Sequence, residues 1–357
     1  MKKFLAMLLV AAMVFSMAAC AKAPEAAQPA ATEETAGETA ETAEAPKDGK
    51  VYKVAMICDS SISDGGWGMS CYNAMMDAAE KHGWETAVSD SIEQTAYIDT
   101  NESYCTLGYD MIYAPGNQYT DAVLQAAAEY PDIAFALLNG AADTPAKAEN
   151  GNVSSLLPNA TQIGWIAGAL AGLMTETGTI AFIGGMELDT TKGKYEGYKE
   201  AAAYVAEKAG KTATTLDIVY SNSFSASDKG IEFAKAMIDK GADVFFGDAS
   251  AVDSGARQAI DEYNAAQGSV KVFDIAQPAD LLGQNECIIC SQVTDNSAMV
   301  GSCMEAVEAG KLGGDVIYGT LENGALSAGA VSDLVPAEIK EQYAAYIEEM
   351  KAGTFMK

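Results

Sequence analysis

The sequence predicts an α/β protein of two doubly wound lobes, each a parallel sheet with helices on both faces. Three observations predict it. From Lys50 onward, short apolar runs alternate with amphipathic stretches, which is the rhythm of strands and helices taking turns in parallel sheets. About 300 residues follow the N-terminal segment, more than one hydrophobic core usually holds, so the interior divides in two. Gly83, Gly178, Gly210, Gly241, Gly268 and Gly310 each follow a helical pattern, where helix-closing residues belong.

The elements follow in order. VYKVAMIC reads as a strand and YNAMMDAAEKHG as the helix after it. YDMIYAPG and YTDAVLQAAAEYP repeat the pair, and Pro131 stops that helix after Tyr130. IAFALLNG is the next strand. Residues 150–161, NGNVSSLLPNAT, carry neither period and read as a crossing between lobes. QIGWIAGALAGLMTETG, TIAFIGG, KYEGYKEAAAYVAEKAG, TTLDIVYS, DKGIEFAKAMIDKGA, DVFFGDAS, SGARQAIDEYNAAQG, VKVFDIA, CIICSQV and NSAMVGSCMEAVEAG then continue the alternation.

The N-terminus sets the address. MKK, the apolar FLAMLLVAAMVF and the small-residue SMAAC have the make-up of a signal peptide over residues 1–19, with an apolar stretch too short to span a bilayer. Ending at small-small-Cys, it resembles the bacterial lipoprotein pattern, in which Cys20 becomes the lipidated first residue. Two or more acyl chains there anchor the protein without a transmembrane helix. Residues 21–49 lack aromatic, leucine, isoleucine and valine residues and hold seven acidic residues against Lys22 and Lys47. They are expected to form a disordered tether reaching roughly 30 Å.

The whole chain has 22 basic and 50 acidic residues; loss of Lys2 and Lys3 with the signal peptide takes the formal charge from −28 to −30. Nucleic acid and anionic membrane surfaces are therefore poor partners. Arg257 is the only arginine, so no arginine cluster can clamp phosphates. Six cysteines follow Cys20. Cys287 and Cys290 sit in a strand-like run, where positions three apart face opposite ways, so they read as buried apolar residues rather than a redox or zinc pair.

Catalytic sets are scarce. His82 is the only histidine and lies at a helix end, where a capping role suits it. No Walker loop, G-x-G-x-x-G, G-x-S-x-G or H-E-x-x-H is present. Neither a cofactor nor a metal site is expected, and a binder is expected rather than an enzyme.

In open α/β sheets ligands bind beyond the carboxyl ends of the strands. The loops there read DSSISDGGW, PGNQY, NGA, GGMELDTTKGKY, DAS, IAQ and SQVT. They offer an indole, carboxylates, amides and lysines, suited to a polar, partly planar ligand. Candidate ligand-binding residues are Asp64, Trp67, Asn117, Asn139, Tyr195, Asp248, Asp274, Gln277 and Thr294. Gly65 and Gly66 let the backbone beside Trp67 approach a ligand, and Tyr195 is taken as a second aromatic wall. Asp274 reads equally as a capping residue, Asp64 as an Asx turn, and Lys192, Lys194 and Tyr195 as a solvated helix start.

These loops carry a resemblance. Asp64-Gly65-Gly66-Trp67 stands where the basic membrane protein family, the PnrA-like nucleoside-binding lipoproteins of ABC transporters, has its D-x-[SG]-[FW] turn with a base-stacking aromatic. YDMIYAPG, YPDIAFALLNG, QIGWIAGALAGLMTETGTIAFIGG, KVFDIAQ, CSQVT and YGTLENGALSAGA follow the family's segments in order, over nearly all of residues 50–357. The resemblance implies a type I periplasmic-binding-protein-like fold with a three-segment hinge near 153–157, 290–294 and 312–319. Lobe 1 would take 50–154 and 292–316, and lobe 2 would take 155–291 and 317–357. It also implies a monomeric receptor that closes on a nucleoside or nucleobase, a purine nucleoside first, and delivers it to a membrane permease. Asn139, Thr294, Ala276 and Gly68 replace family-typical Asp, Lys, Asp and Asn. Asn139, Thr294 and Ala276 keep open a receptor for a sugar or other small polar metabolite, and a sensory lipoprotein that presents its ligand to a signalling partner is a third reading.

Overall fold

A computed structural model describes residues 49–63 and 66–357. The expected signal peptide, Cys20, the tether through residue 48 and Asp64 lie outside the described residues. The chain alternates as β1 (Lys53–Ile57), α1 (Trp67–His82), β2 (Glu85–Ser89), α2 (Tyr97–Thr106), β3 (Met111–Pro115), α3 (Thr120–Glu129), β4 (Ala134–Leu138), α4 (Thr144–Lys147) and β5 (Val153–Pro158). A second series follows: α5 (Ala160–Met174), β6 (Thr179–Gly184), α6 (Asp189–Lys208), β7 (Thr214–Thr215), β8 (Val219–Tyr220), α7 (Ser227–Asp239), β9 (Val244–Asp248), α8 (Ala251–Gln267), β10 (Phe273–Ala276) and β11 (Ile288–Thr294). The chain ends with α9 (Ser297–Glu308), β12 (Val316–Gly319), β13 (Leu326–Ala328) and α10 (Ala337–Lys351).

Two sheets result. The first runs β12-β5-β4-β3-β1-β2, all parallel. The second runs β13-β11-β10-β9-β6-β7, with β8 also on β6, and only β13 is antiparallel. Each sheet is buried on both faces, as parallel sheets require. Val54 and Met56 face one core of the first sheet, and Ala55 and Ile57 face the other. Cys287, just before β11, closes one core of the second sheet, and Cys290 within β11 closes the opposite one. All six cysteines among the described residues are free and buried, and burial pushes the Cys290 thiol up to about 11.

Residues 150–161, expected to be an aperiodic crossing, hold a full strand. Ser154 and Ser155 are buried within β5, and the Ser155 hydroxyl is satisfied by the Ala141 carbonyl at 2.9 Å. Buried serines hid the strand's pattern. Pairing with β12 continues to Pro158, so the chain leaves the first sheet after that residue. It returns between Thr294 and Ser297 and leaves again after Gly319. These three passages are bonded side by side: Asn159 N–H donates to Gly319 O, and Asp295 N–H to Ala325 O, both at 2.8 Å.

Helix α6 is set by its neighbour. Gly164, Gly168 and Gly172 form one row of α5, and a β-carbon on them would strike Lys194 O, Tyr198 O and Ala202 O of α6 in turn. Only glycine allows this close a crossing.

Candidate functional site

At the carboxyl end of the first sheet, α1 opens with Trp67, whose indole N–H donates to the Pro115 carbonyl at the end of β3, 3.0 Å away. The ring is half-buried against the core beneath it. Its edge is therefore fixed by a hydrogen bond while part of its surface stays open. At the same end of the sheet, Asp59 follows β1 as an exposed carboxylate. It accepts from Tyr97 Oη at 3.0 Å and Gln118 Nε2 at 2.9 Å, and its N–H donates to Tyr119 Oη at 2.6 Å. Burial, then the Asp59 carboxylate, pushes the Tyr97 phenol up to about 12. Tyr97 thus stays a neutral donor. Asn117 is exposed just after β3, and Asn139 follows β4 with a left-handed φ of 59°, a conformation asparagine tolerates in turns.

The carboxyl end of the second sheet carries a bonded polar group. Asp248, ending β9, accepts from Thr191 Oγ1 and Lys194 Nζ, each at 2.7 Å. Lys194 also donates to Gln277 Oε1 at 2.9 Å, and Gln277 Nε2 donates to the Gly247 carbonyl. The lysine charge is thereby spent inside the site. The structure thus brings Asp248 and Gln277 together, with Lys194 between them.

Three expected residues stand elsewhere. Tyr195 is 8 % exposed, packed edge-on against Phe182, with its hydroxyl on the Leu216 carbonyl, so it belongs to the core and is no aromatic wall. Asp274 is 4 % exposed within β10 and takes Arg257 Nε at 2.7 Å. Its carboxylate is used in a buried ion pair. Thr294 is buried at the end of β11 and bonded to the Gln292 side chain.

Sequence reasoning missed Phe224. It follows β8 and is 42 % exposed, with its ring against Gly185 at the end of β6, where a β-carbon would collide with the ring. The strand-end rule applies equally to the loop after TTLDIVYS and finds it. Asp59 and Gln118 lay within DSSISDGGW and PGNQY but were not singled out.

Behind Asp248, the buried Asp253 carboxylate accepts from Ala249 N–H at 2.8 Å. Burial raises its pKa from 3.8 to about 7, against the pull of Arg257 and that hydrogen bond. The folded chain then holds a proton that the unfolded chain releases, so this group's stabilisation is full near pH 4 and is lost as pH rises through 7. Urea denaturation of wild type and Asp253→Asn from pH 4 to 8 is expected to show their stability difference shifting against wild type as pH rises. A difference independent of pH would contradict it.

Residues 51–353 match the family model described as ABC transporter substrate-binding protein PnrA-like, Bmp. The chain belongs to this family. The PnrA-like family is one of solute-binding proteins rather than enzymes, and ABC substrate-binding proteins are extracytoplasmic. Among relatives, the ABC transporter nucleoside-binding protein BmpA of Lactococcus lactis subsp. cremoris is 26 % identical over 82 % of this chain and 85 % of its own length. The putative ABC transporter glucose-binding protein TsgA13 of Haloferax volcanii is 25 % identical over 85 % of this chain and 73 % of its own length. An ABC transporter solute-binding protein from Conexibacter woesei superposes with a TM-score of 0.67 at 20 % identity, covering 86 % of this chain and 98 % of the other. The fold is that of type I periplasmic solute-binding proteins. Among the described residues no group of three or more His, Cys, Asp or Glu is arranged to hold a metal, and no helix is long and apolar enough to cross a membrane.

Proposed function

We propose that this PnrA-like protein is a lipid-anchored, extracytoplasmic receptor, monomeric and held through Cys20, that closes its two lobes on a nucleoside or nucleobase and hands it to an ABC permease. The observation that carries the reading is Trp67: an indole with its N–H engaged and its ring half-open has a flat face to offer and little else. Phe224 on Gly185 supplies a second ring at the other sheet. The Asp59–Gln118 and Asp248–Lys194–Gln277 groups supply hydrogen bonds for base edges and hydroxyls. Contacts from both lobes would favour the closed state, and that difference in affinity sets the population shift. The nucleoside-binding name of the lactococcal relative supports the same ligand class.

With Lys194 committed to Asp248 and Gln277, the ligand is neutral, and phosphorylated nucleosides are excluded. Calorimetry on residues 50–357 with inosine, adenosine, guanosine, inosine monophosphate, ribose and glucose tests the reading. A purine nucleoside is expected to bind and the monophosphate not. Trp67→Ala is expected to weaken binding about five- to hundred-fold, the loss of one base-stacking contact of about 1–3 kcal/mol. Heat with none of these purine compounds removes the purine nucleoside. A signal from ribose or glucose alone moves the reading to a sugar receptor, favoured by the glucose-binding name of the Haloferax relative.

A further inference from the structure

The loop between β8 and α7, residues 221–226, is tied down along its length. Ser221 N–H donates to Gly184 O at 2.9 Å and Ser223 N–H to Gly185 O at 3.2 Å, so the loop extends the pairing of β8 along β6. Ser221 is fully buried, and its hydroxyl lies within hydrogen-bond reach of the Ser223 carbonyl at 2.5 Å and the Gly185 carbonyl at 3.2 Å. Ser223 Oγ accepts from the N–H groups of Ser225 and Ala226 at 3.0 and 3.1 Å. Ala251 N–H donates to the Phe224 carbonyl at 3.0 Å. The last tie is Lys229, in the first turn of α7, whose ammonium donates to the Ser221 carbonyl. In a chain with 50 acidic residues, this cation serves a backbone carbonyl, a charge-assisted bond stronger than a neutral one.

A serine-rich segment left to itself would be mobile, and ordering its aromatic on binding would subtract from affinity. We propose that Lys229, acting through the Ser221 carbonyl, is a positioning residue that holds the Phe224 ring over Gly185 as a preset face for the planar part of the ligand. Lys229 itself touches no ligand. The inference rests on the receptor reading above, in which Phe224 faces a planar ligand, and its test separates the two.

Lys229→Met keeps the side-chain length and removes the charge. In the ligand-free variant, hydrogen–deuterium exchange of the segment 219–226 is expected to rise, with exchange elsewhere unchanged. Inosine affinity by calorimetry is expected to fall about three- to ten-fold, the cost of ordering one side chain and its loop on binding. Lys229→Arg is expected to restore both. In a Phe224→Ala background, Lys229→Met is expected to add no further loss. Unchanged exchange in the segment overturns the proposal, as does an equal affinity loss with and without the Phe224 ring, or a Phe224→Ala variant that binds like wild type. Should the wild type bind no nucleoside or base, the receptor reading falls, and exchange alone decides whether Lys229 fixes the loop.

Discussion

Asp274→Ala is expected to lower folding stability by about 3–5 kcal/mol, the cost of leaving a buried charge without its partner. Arg257 is 6 % exposed, and its Nε lies 2.7 Å from Asp274 Oδ2, between α8 and β10. Burial works to raise the pKa of Asp274, and the guanidinium beside it pulls the other way. Removing the carboxylate strands the cation, which draws Asp253, one turn earlier on α8 and titrating at about 7, to give up its proton as a counter-charge, so a value near the lower end is expected. Urea denaturation at pH 7 measures the loss. Affinity of the folded variant for whatever ligand the wild type binds is expected to stay within about two-fold, since the pair lies inside the second lobe. A loss of affinity without a loss of stability would return Asp274 to the binding site.

Gly168→Leu is expected to cost about 2–3 kcal/mol, within the range for overpacking a close-packed interior. Leucine and alanine have similar helix propensity, and both exceed glycine, so the loss isolates the steric term. A β-carbon at Gly168 would strike Tyr198 O and lie 2.9 Å from the Tyr198 Cα. These are backbone atoms of α6 and cannot rotate away. Because α6 also carries Thr191 and Lys194, its displacement would loosen the bonds on Asp248. Thermal melting reads the stability loss. A variant as stable as wild type would mean that α6 shifts freely, against the packing described.

Most of the fold was legible because it rests on local patterns. Apolar runs of four to eight residues between helical stretches marked both sheets, and Gly83 and Gly268 close α1 and α8 in left-handed conformation as their positions suggest. The three-residue spacing of Cys287 and Cys290 correctly put them on opposite faces. β5 was hidden because two of its buried residues are serines whose polar atoms find partners only in the folded chain. The site was less legible, since a residue near a strand's end can turn to the ligand or to the core. Tyr195 and Asp274 turn inward: a phenol finds the Leu216 carbonyl and a carboxylate finds the only arginine. Phe224 does the reverse, and the decisive neighbour, Gly185, is 39 positions away in sequence.

The passages between the sheets have a consequence for how such a receptor can diversify. Two of their mutual bonds run from Asn159 N–H to Gly319 O and from Asp295 N–H to Ala325 O, peptide to peptide, and peptide groups are the same whatever side chain they carry. That part of the joint does not depend on which side chains surround it. In the receptor proposed above, substitutions at Trp67, Asn139 or Phe224 would retune what is carried while leaving these two bonds untouched.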